Sequence, residues 1–168
     1  MAMSVVDLIR LIAEDAPVGV VVTDTQVDLP GPVILYVNAA FGRLVGREPA
    51  TILGNSPRFM QGRQTLRSAL DQFRTALVAG ERFHGYLTNY KRDGTRYRTE
   101  IDCRPLRNAQ GHVEHFVSFE REVVRRMGRP ARGKAGRYEP TSVSNELLPP
   151  SLKALGAFSL DPLPLRTS

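Results

Sequence analysis

The chain has 168 residues, 42% hydrophobic and 24% charged, which suits one soluble globular domain with extensions and excludes a disordered or fibrous composition. No apolar run approaches the ~18 residues of a membrane span, and the N-terminus lacks the basic start and apolar core of a secretory signal, so a cytoplasmic protein without membrane contact is expected. The net charge of +6 is concentrated in residues 123–137, which carry six Arg or Lys and no acid; the remainder is close to neutral, and nucleic-acid binding is not expected.

Val5, Leu8, Ile9 and Ile12 recur at i, i+3, i+4 and i+7. That spacing predicts an amphipathic helix over 4–14, within an N-terminal unit of residues 1–16 and capped by Ser4. Ala16-Pro17 ends it, because proline disfavours helical geometry in the residue before it. β-branched runs at 18–23 and 33–37 predict two strands, separated by a polar loop at 24–32 that holds two prolines. Asn38 is placed to cap a short helix that Gly46 ends, and a further short turn or helix follows at 49–53. Residues 65–79 form the clearest helical pattern, with Leu66, Leu70, Phe73 and Leu77 on one stripe and Gly80 as the stop. Three strands follow at 83–90, 95–104 and 113–123, the first two joined by the hairpin signal Asp93-Gly94.

Consecutive strands joined by tight turns are antiparallel. The expected fold class is therefore α+β: over residues 17–123, a five-stranded antiparallel sheet with short helices on one face. A single concave, mostly apolar pocket between sheet and helices is the default ligand site. Residues 124–168 are basic and proline-rich, without sustained periodicity, and are expected to form an irregular, disordered tail, with the apolar stretch 147–160 as a candidate docking element.

The single cysteine, Cys103, excludes an internal disulfide and a multi-cysteine metal site, and His84, His112 and His115 have no zinc-like spacing with it. By itself Cys103 reads as a small core or surface thiol. There is no phosphate loop, nucleophile elbow or metal cluster, so no enzyme, catalytic residue or metal site is expected.

Four segments stand at ordered separations: TDTQVDLPGPVILYVNAAFGRLVG (23–46), GNSPRFMQG (54–62), NYKRDGT (89–95) and HFVSFEREV (115–123). Together they resemble a PAS domain of the LOV (light-oxygen-voltage) type. The resemblance implies a sensory signalling module, a non-covalent FMN or FAD site, and output through a homodimer or a protein partner. The family carries its photoreactive cysteine where this chain has Pro57, which offers no nucleophile. A response to light or redox change would then proceed without a cysteinyl adduct by the family's usual route.

Carried over by position, Arg58 and Arg74 match the arginines on the flavin phosphate, a role suited to guanidinium forks. Gln61 matches the glutamine facing the ribityl chain, and Asn89 the first of two asparagines on the pyrimidine edge of the ring. Thr99 stands at the second asparagine position. Ser56 replaces an asparagine beside the cysteine position. Glu120 replaces the glutamine that faces flavin N5. If buried, its pKa rises; alternatively it pairs with Arg98, Arg104 or Arg121. The plainer readings are that the arginines are solvated, that Glu120 marks an emptied pocket or faces solvent, and that the chain is a flavin-free dimerisation or protein-interaction module using Val5, Leu8, Ile9 and Ile12.

Overall fold

The structure is a computed structural model that describes residues 2–128 and 137–159. Helix α1 (Val5–Ala13) begins at Ser4 in a reciprocal cap: the Ser4 hydroxyl accepts the Asp7 N–H at 3.1 Å, and the Asp7 carboxylate accepts the Ser4 N–H at 3.3 Å. Strands β1 (Gly19–Thr23) and β2 (Ile34–Val37) follow, then α2 (Ala39–Val45). Asn38 starts α2 and is fully buried. Its Oδ1 accepts from the Val20 and Phe41 amides at 2.9 and 3.0 Å, while its Nδ2 donates to the Ala13 and Val18 carbonyls at 2.9 and 3.0 Å. All four hydrogen bonds an amide side chain can make are used, joining the end of α1, β1 and α2. Gly46 closes α2 at φ 69°, a left-handed cap that favours glycine.

Helix α3 (Pro49–Ile52) and a 3-10 turn (Pro57–Met60) lead to α4 (Arg67–Ala79), and then to β3 (Phe83–Tyr90), β4 (Arg96–Arg107) and β5 (Val113–Arg125). The antiparallel sheet runs β2-β1-β5-β4-β3, so the two ends of the domain meet where β1 pairs β5. Side-chain alternation gives the sheet two faces. One carries Val21, Leu87, Ile101, Cys103 and Phe116, and is covered by α2 to α4; the Phe73 and Phe83 rings stack there with centroids 4.3 Å apart.

The other face carries Val20, Val22, Tyr36, Val117 and Phe119. Part of it is covered by α1, but not through the whole predicted stripe. Val6, Ile9 and Ala13 turn inward, whereas Val5, Leu8 and Ile12 are 45%, 48% and 72% exposed. The helix is rotated because its partner is one small patch of the sheet edge, and only Ile9 of the expected four packs on it.

The expectation of an irregular tail is corrected over 137–159. That segment forms β6 (Tyr138–Pro140), which pairs with the end of β5, a 3-10 turn (Asn145–Leu147) and α5 (Pro150–Ala154). The sheet thus has six strands. Val143, Leu148, Leu152, Ala157 and Phe158 bury themselves against the outer face of the sheet. The physical reason is the face itself, which is apolar at its centre and charged toward β3 and β4. Asp102 is wholly buried and accepts from Arg82 (Nε 2.9 Å, Nη2 3.0 Å), from Arg104 (Nε 3.1 Å, Nη2 2.9 Å) and from the Phe158 amide (2.8 Å). Beside it, Glu100 accepts from Arg121 Nε at 2.7 Å and contacts His84 Nε2 at 2.8 Å. Arg121 also donates to the Val143 carbonyl at 3.0 Å and stacks 4.0 Å from the Phe158 ring centroid. Hydrophobic spacing alone does not reveal these partners. Residues 129–136, which hold much of the basic run, and 160–168 lie outside the described residues.

Candidate functional site

Between the helical face of the sheet and α4 lies a cavity of about 500 Å³, roofed by the loop 24–32 and the turn at Pro57. Its volume falls in the ~300–1,000 Å³ range of small-molecule sites. The walls are apolar, from Val21, Leu70, Phe73, Leu77 and Phe116, with Ser118, Glu120 and Cys103 set into the sheet side.

Four of the seven site residues read from the sequence line this cavity: Arg58, Gln61, Arg74 and Glu120. Arg58 donates Nε to the Gly31 carbonyl and Nη2 to the Val27 carbonyl, both at 2.9 Å. Arg74 comes from α4 and donates Nη1 to the same Val27 carbonyl at 3.4 Å, and Nη2 to the Asp28 carboxylate. Two guanidinium groups thus converge on one carbonyl of the roof, close enough to serve a single anionic group. Arg67 and Asp71 also reach the cavity from α4.

Ser56, Asn89 and Thr99 are not in the lining. The Ser56 hydroxyl accepts the Arg58 N–H at 3.4 Å, a local cap of the turn. Thr99 is fully buried, its hydroxyl 3.3 Å from the Arg121 carbonyl. Asn89 sits opposite Tyr97 on the helical face of the sheet, 2% exposed, and its Oδ1 has no hydrogen-bond partner.

Glu120 is the outstanding group of the site. It is 5% exposed, it faces the cavity, and its Oε2 has no partner. The arginines considered as partners all lie on the opposite face of the sheet: Arg121 is held by Glu100, Arg104 by Asp102, and Arg98 by the Thr88 hydroxyl. With no cation to offset burial, the carboxyl is pushed up to about 8, which favours the neutral form up to that pH.

Cys103 is the cavity residue that sequence reasoning left unplaced. It pairs in register with Ser118, one pleat from Glu120. Burial pushes its thiol up to about 12, against a lowering hydrogen bond with Ser118, which makes it a poor nucleophile in the folded state. The available signal was strand parity: Cys103 lies four residues after Thr99 on one strand and so shares its face. Pro57, the position matched above to the photoreactive cysteine, lines the same cavity from its roof.

The model of the PAS domain family matches residues 17–125. Over 114 residues the chain is 32% identical to the bacterioopsin transcriptional activator of Halobacterium salinarum, covering 68% of this chain and 17% of that protein. It is 33% identical over 110 residues to the nitrogen fixation regulatory protein of Klebsiella oxytoca, covering 66% of this chain and 21% of that one. The chain therefore spans about a fifth of the length of the curated relatives it matches. Among solved structures, an RNA-binding light-oxygen-voltage receptor superposes with a TM-score of 0.63 at 29% identity, over 68% of this chain and 32% of that one. The light state of the blue-light photoreceptor Aureochrome1 LOV superposes with a TM-score of 0.59 at 30% identity, over 72% and 90% of the two chains.

Proposed function

The chain belongs to the PAS domain family, as a sensory module similar to its light-oxygen-voltage members, and from that premise we propose that the cavity holds a flavin, FMN or FAD, without a covalent bond, and that light or redox change at this flavin is the signal. The observation that carries the reading is the unpartnered Glu120 carboxyl in the wall of an otherwise apolar cavity whose roof carries two converging guanidinium groups. An apolar ring with a polar edge and an anionic tail would satisfy both ends. Bound flavin would supply the blue-light absorption and redox chemistry that no side chain provides.

In this reading Arg58 gives up the Val27 and Gly31 carbonyls, and Arg74 the Val27 carbonyl and the Asp28 carboxylate, for the phosphate, and Gln61 serves the ribityl hydroxyls. The unpaired Oδ1 of Asn89 lies on the same sheet face but outside the cavity lining, so in this reading the ring edge is met by Glu120 rather than by Asn89. Ser56 and Thr99 are occupied locally and contribute less. Output passes to a partner or to further domains of a longer protein, in keeping with the small share of its relatives that the chain spans.

The test is a titration of the protein with FMN and with riboflavin, followed by quenching of flavin fluorescence, for the wild type and for Arg58→Ala/Arg74→Ala. Saturable binding of FMN, with the double variant losing far more affinity for FMN than for riboflavin, is expected. Equal losses for both ligands would remove the arginines from the phosphate role, and no saturable binding would remove the flavin.

The exposed stripe of Val5, Leu8 and Ile12 favours a second reading as a self-association module through α1, since the chain's own C-terminal segment already covers the outer sheet face. Sizing across a wide concentration range separates the two: a monomer throughout would count against self-association.

A further inference from the structure

Glu120 is a carboxyl that the fold confines without a counter-charge, and its surroundings can be enumerated. On β1, Gly19 lies opposite it and Val21 beside it, neither ionisable. On β4 the facing groups are Ile101, Cys103 and Tyr97; burial raises the Cys103 thiol and the Tyr97 phenol, so both are neutral beside it. Along β5, Glu122 is engaged by Lys91 at 3.1 Å. From α2, Phe41 packs against Gly19. The charged groups that reach the cavity from the loop, the turn and α4 are Asp28, Arg58, Arg67, Asp71 and Arg74. Of these, Arg58 and Arg74 are bonded to the roof, Arg67 pairs with Asp71, and none bonds to Glu120.

A lone carboxyl in such a place is stable in its neutral form, in which it has one O–H to donate. Desolvating it further by seating a ligand over it favours that form more strongly. A ligand that presents a hydrogen-bond acceptor satisfies the O–H. One that presents only a donor leaves the O–H buried and unmatched, a loss of the kind that separates analogues strongly at built polar sites.

Resting on the flavin reading above, we infer that ligand binding in this cavity is proton-linked through Glu120: the buried, unpartnered carboxyl must carry its proton when a ligand is seated over it. The balance is simple. Below the pH at which the free cavity loses the Glu120 proton, ligand enters with no change in protonation. Above it, each ligand that binds returns one proton from solvent to Glu120, and no electron or covalent bond changes hands.

The experiment measures the dissociation constant of FMN and of riboflavin at steps from pH 6 to 9.5, for the wild type and for Glu120→Gln, which keeps an amide donor but cannot ionise. Wild-type affinity for riboflavin is expected to be flat at low pH and then to weaken by roughly tenfold per pH unit above about 8, and the same fall should appear for FMN in the ratio of wild type to Glu120→Gln, which cancels the ionisation of the phosphate. Glu120→Gln should stay flat for riboflavin through the same range. A wild-type profile as flat as that of the variant would overturn the inference and leave the flavin reading intact. No flavin binding at any pH would remove both.

A second measurement needs no ligand. Since the folded carboxyl binds its proton more tightly than the unfolded one, wild-type stability falls with rising pH between about 4.5 and about 8, relative to Glu120→Gln. Denaturant midpoints of the two proteins that keep a constant separation over that interval would also overturn the inference.

Discussion

Asp102→Ala is the change that most directly tests how the C-terminal segment is held. The wild-type carboxylate is wholly buried and accepts five hydrogen bonds: four from Arg82 and Arg104, whose side chains are 19% and 11% exposed, and one from the Phe158 amide. Burial alone would raise this carboxyl, but the bonds from Arg82, Arg104 and Phe158 together hold it below its ordinary range. Removing one partner of a buried ion pair costs ~3–5 kcal/mol, because the remaining charge is left without its counter-ion. The loss should fall first on the segment 137–159, since its own anchors are the Phe158 amide, the Arg82 bond to Ser159 and the Arg104 bonds to Leu155 and Gly156. Phe158 also sits at φ 60°, unusual for a bulky residue, which needs such anchoring. Native-state hydrogen exchange reads this residue by residue. At ~1.4 kcal/mol per tenfold, the Phe158 amide of the variant should exchange roughly a hundred to a few thousand times faster, while amides at the centre of β4 and β5 stay comparatively protected. Uniform acceleration across the sheet would show that Asp102 supports the fold at large. An unchanged Phe158 rate would refute the anchoring itself.

The same carboxylate sets an acid limit: its stabilisation is present above the unfolded value near ~3.9 and is lost as pH falls through its lower folded value, so protease cleavage within 137–159 should rise below about pH 4 before the sheet unfolds. Asn38→Ala should cost about 3 kcal/mol or more in chemical denaturation, since it strips a helix cap and leaves the Val20 amide and the Val18 carbonyl unpaired; a loss under about 1 kcal/mol would mean that water replaces the side chain. Cys103, raised to about 12 and 1% exposed, should resist thiol reagents at neutral pH until the protein unfolds; rapid stoichiometric labelling of the native state would contradict that.

The succession of elements along the chain, the hairpin at Asp93-Gly94 and the caps at Ser4, Asn38 and Gly46 were legible because each is written in local chemistry: a period of two, a turn dipeptide, a hydroxyl or amide before an apolar run, a glycine after one. The cavity was legible as a consequence of the layers, and Arg58, Gln61, Arg74 and Glu120 as positions of a recognised pattern. In the tail, the apolar stretch 147–160 was legible as a docking element, and Leu148, Leu152, Ala157 and Phe158 do pack on the sheet; where it docks, and the strand at 138–140, were not legible, because the partners are groups far away in sequence. Phe158 meets Asp102 and Arg121 at sequence separations of 56 and 37, and no window of the tail contains that information. The phase of α1 failed for a related reason: an apolar stripe shows that a helix is amphipathic, but the patch it meets decides which residues turn inward. The state of Glu120 was also a tertiary fact, since the three arginines considered as its partners lie on the other side of the sheet.

The central claim is that this cavity holds a flavin. The most direct measurement is the visible absorption spectrum of the purified protein, recorded again after incubation with FMN or FAD and removal of the excess. The structured blue absorption band of oxidised flavin, retained on the protein at about one flavin per chain and lost in Arg58→Ala/Arg74→Ala, is the result expected here. A protein that stays colourless after reconstitution would contradict the claim.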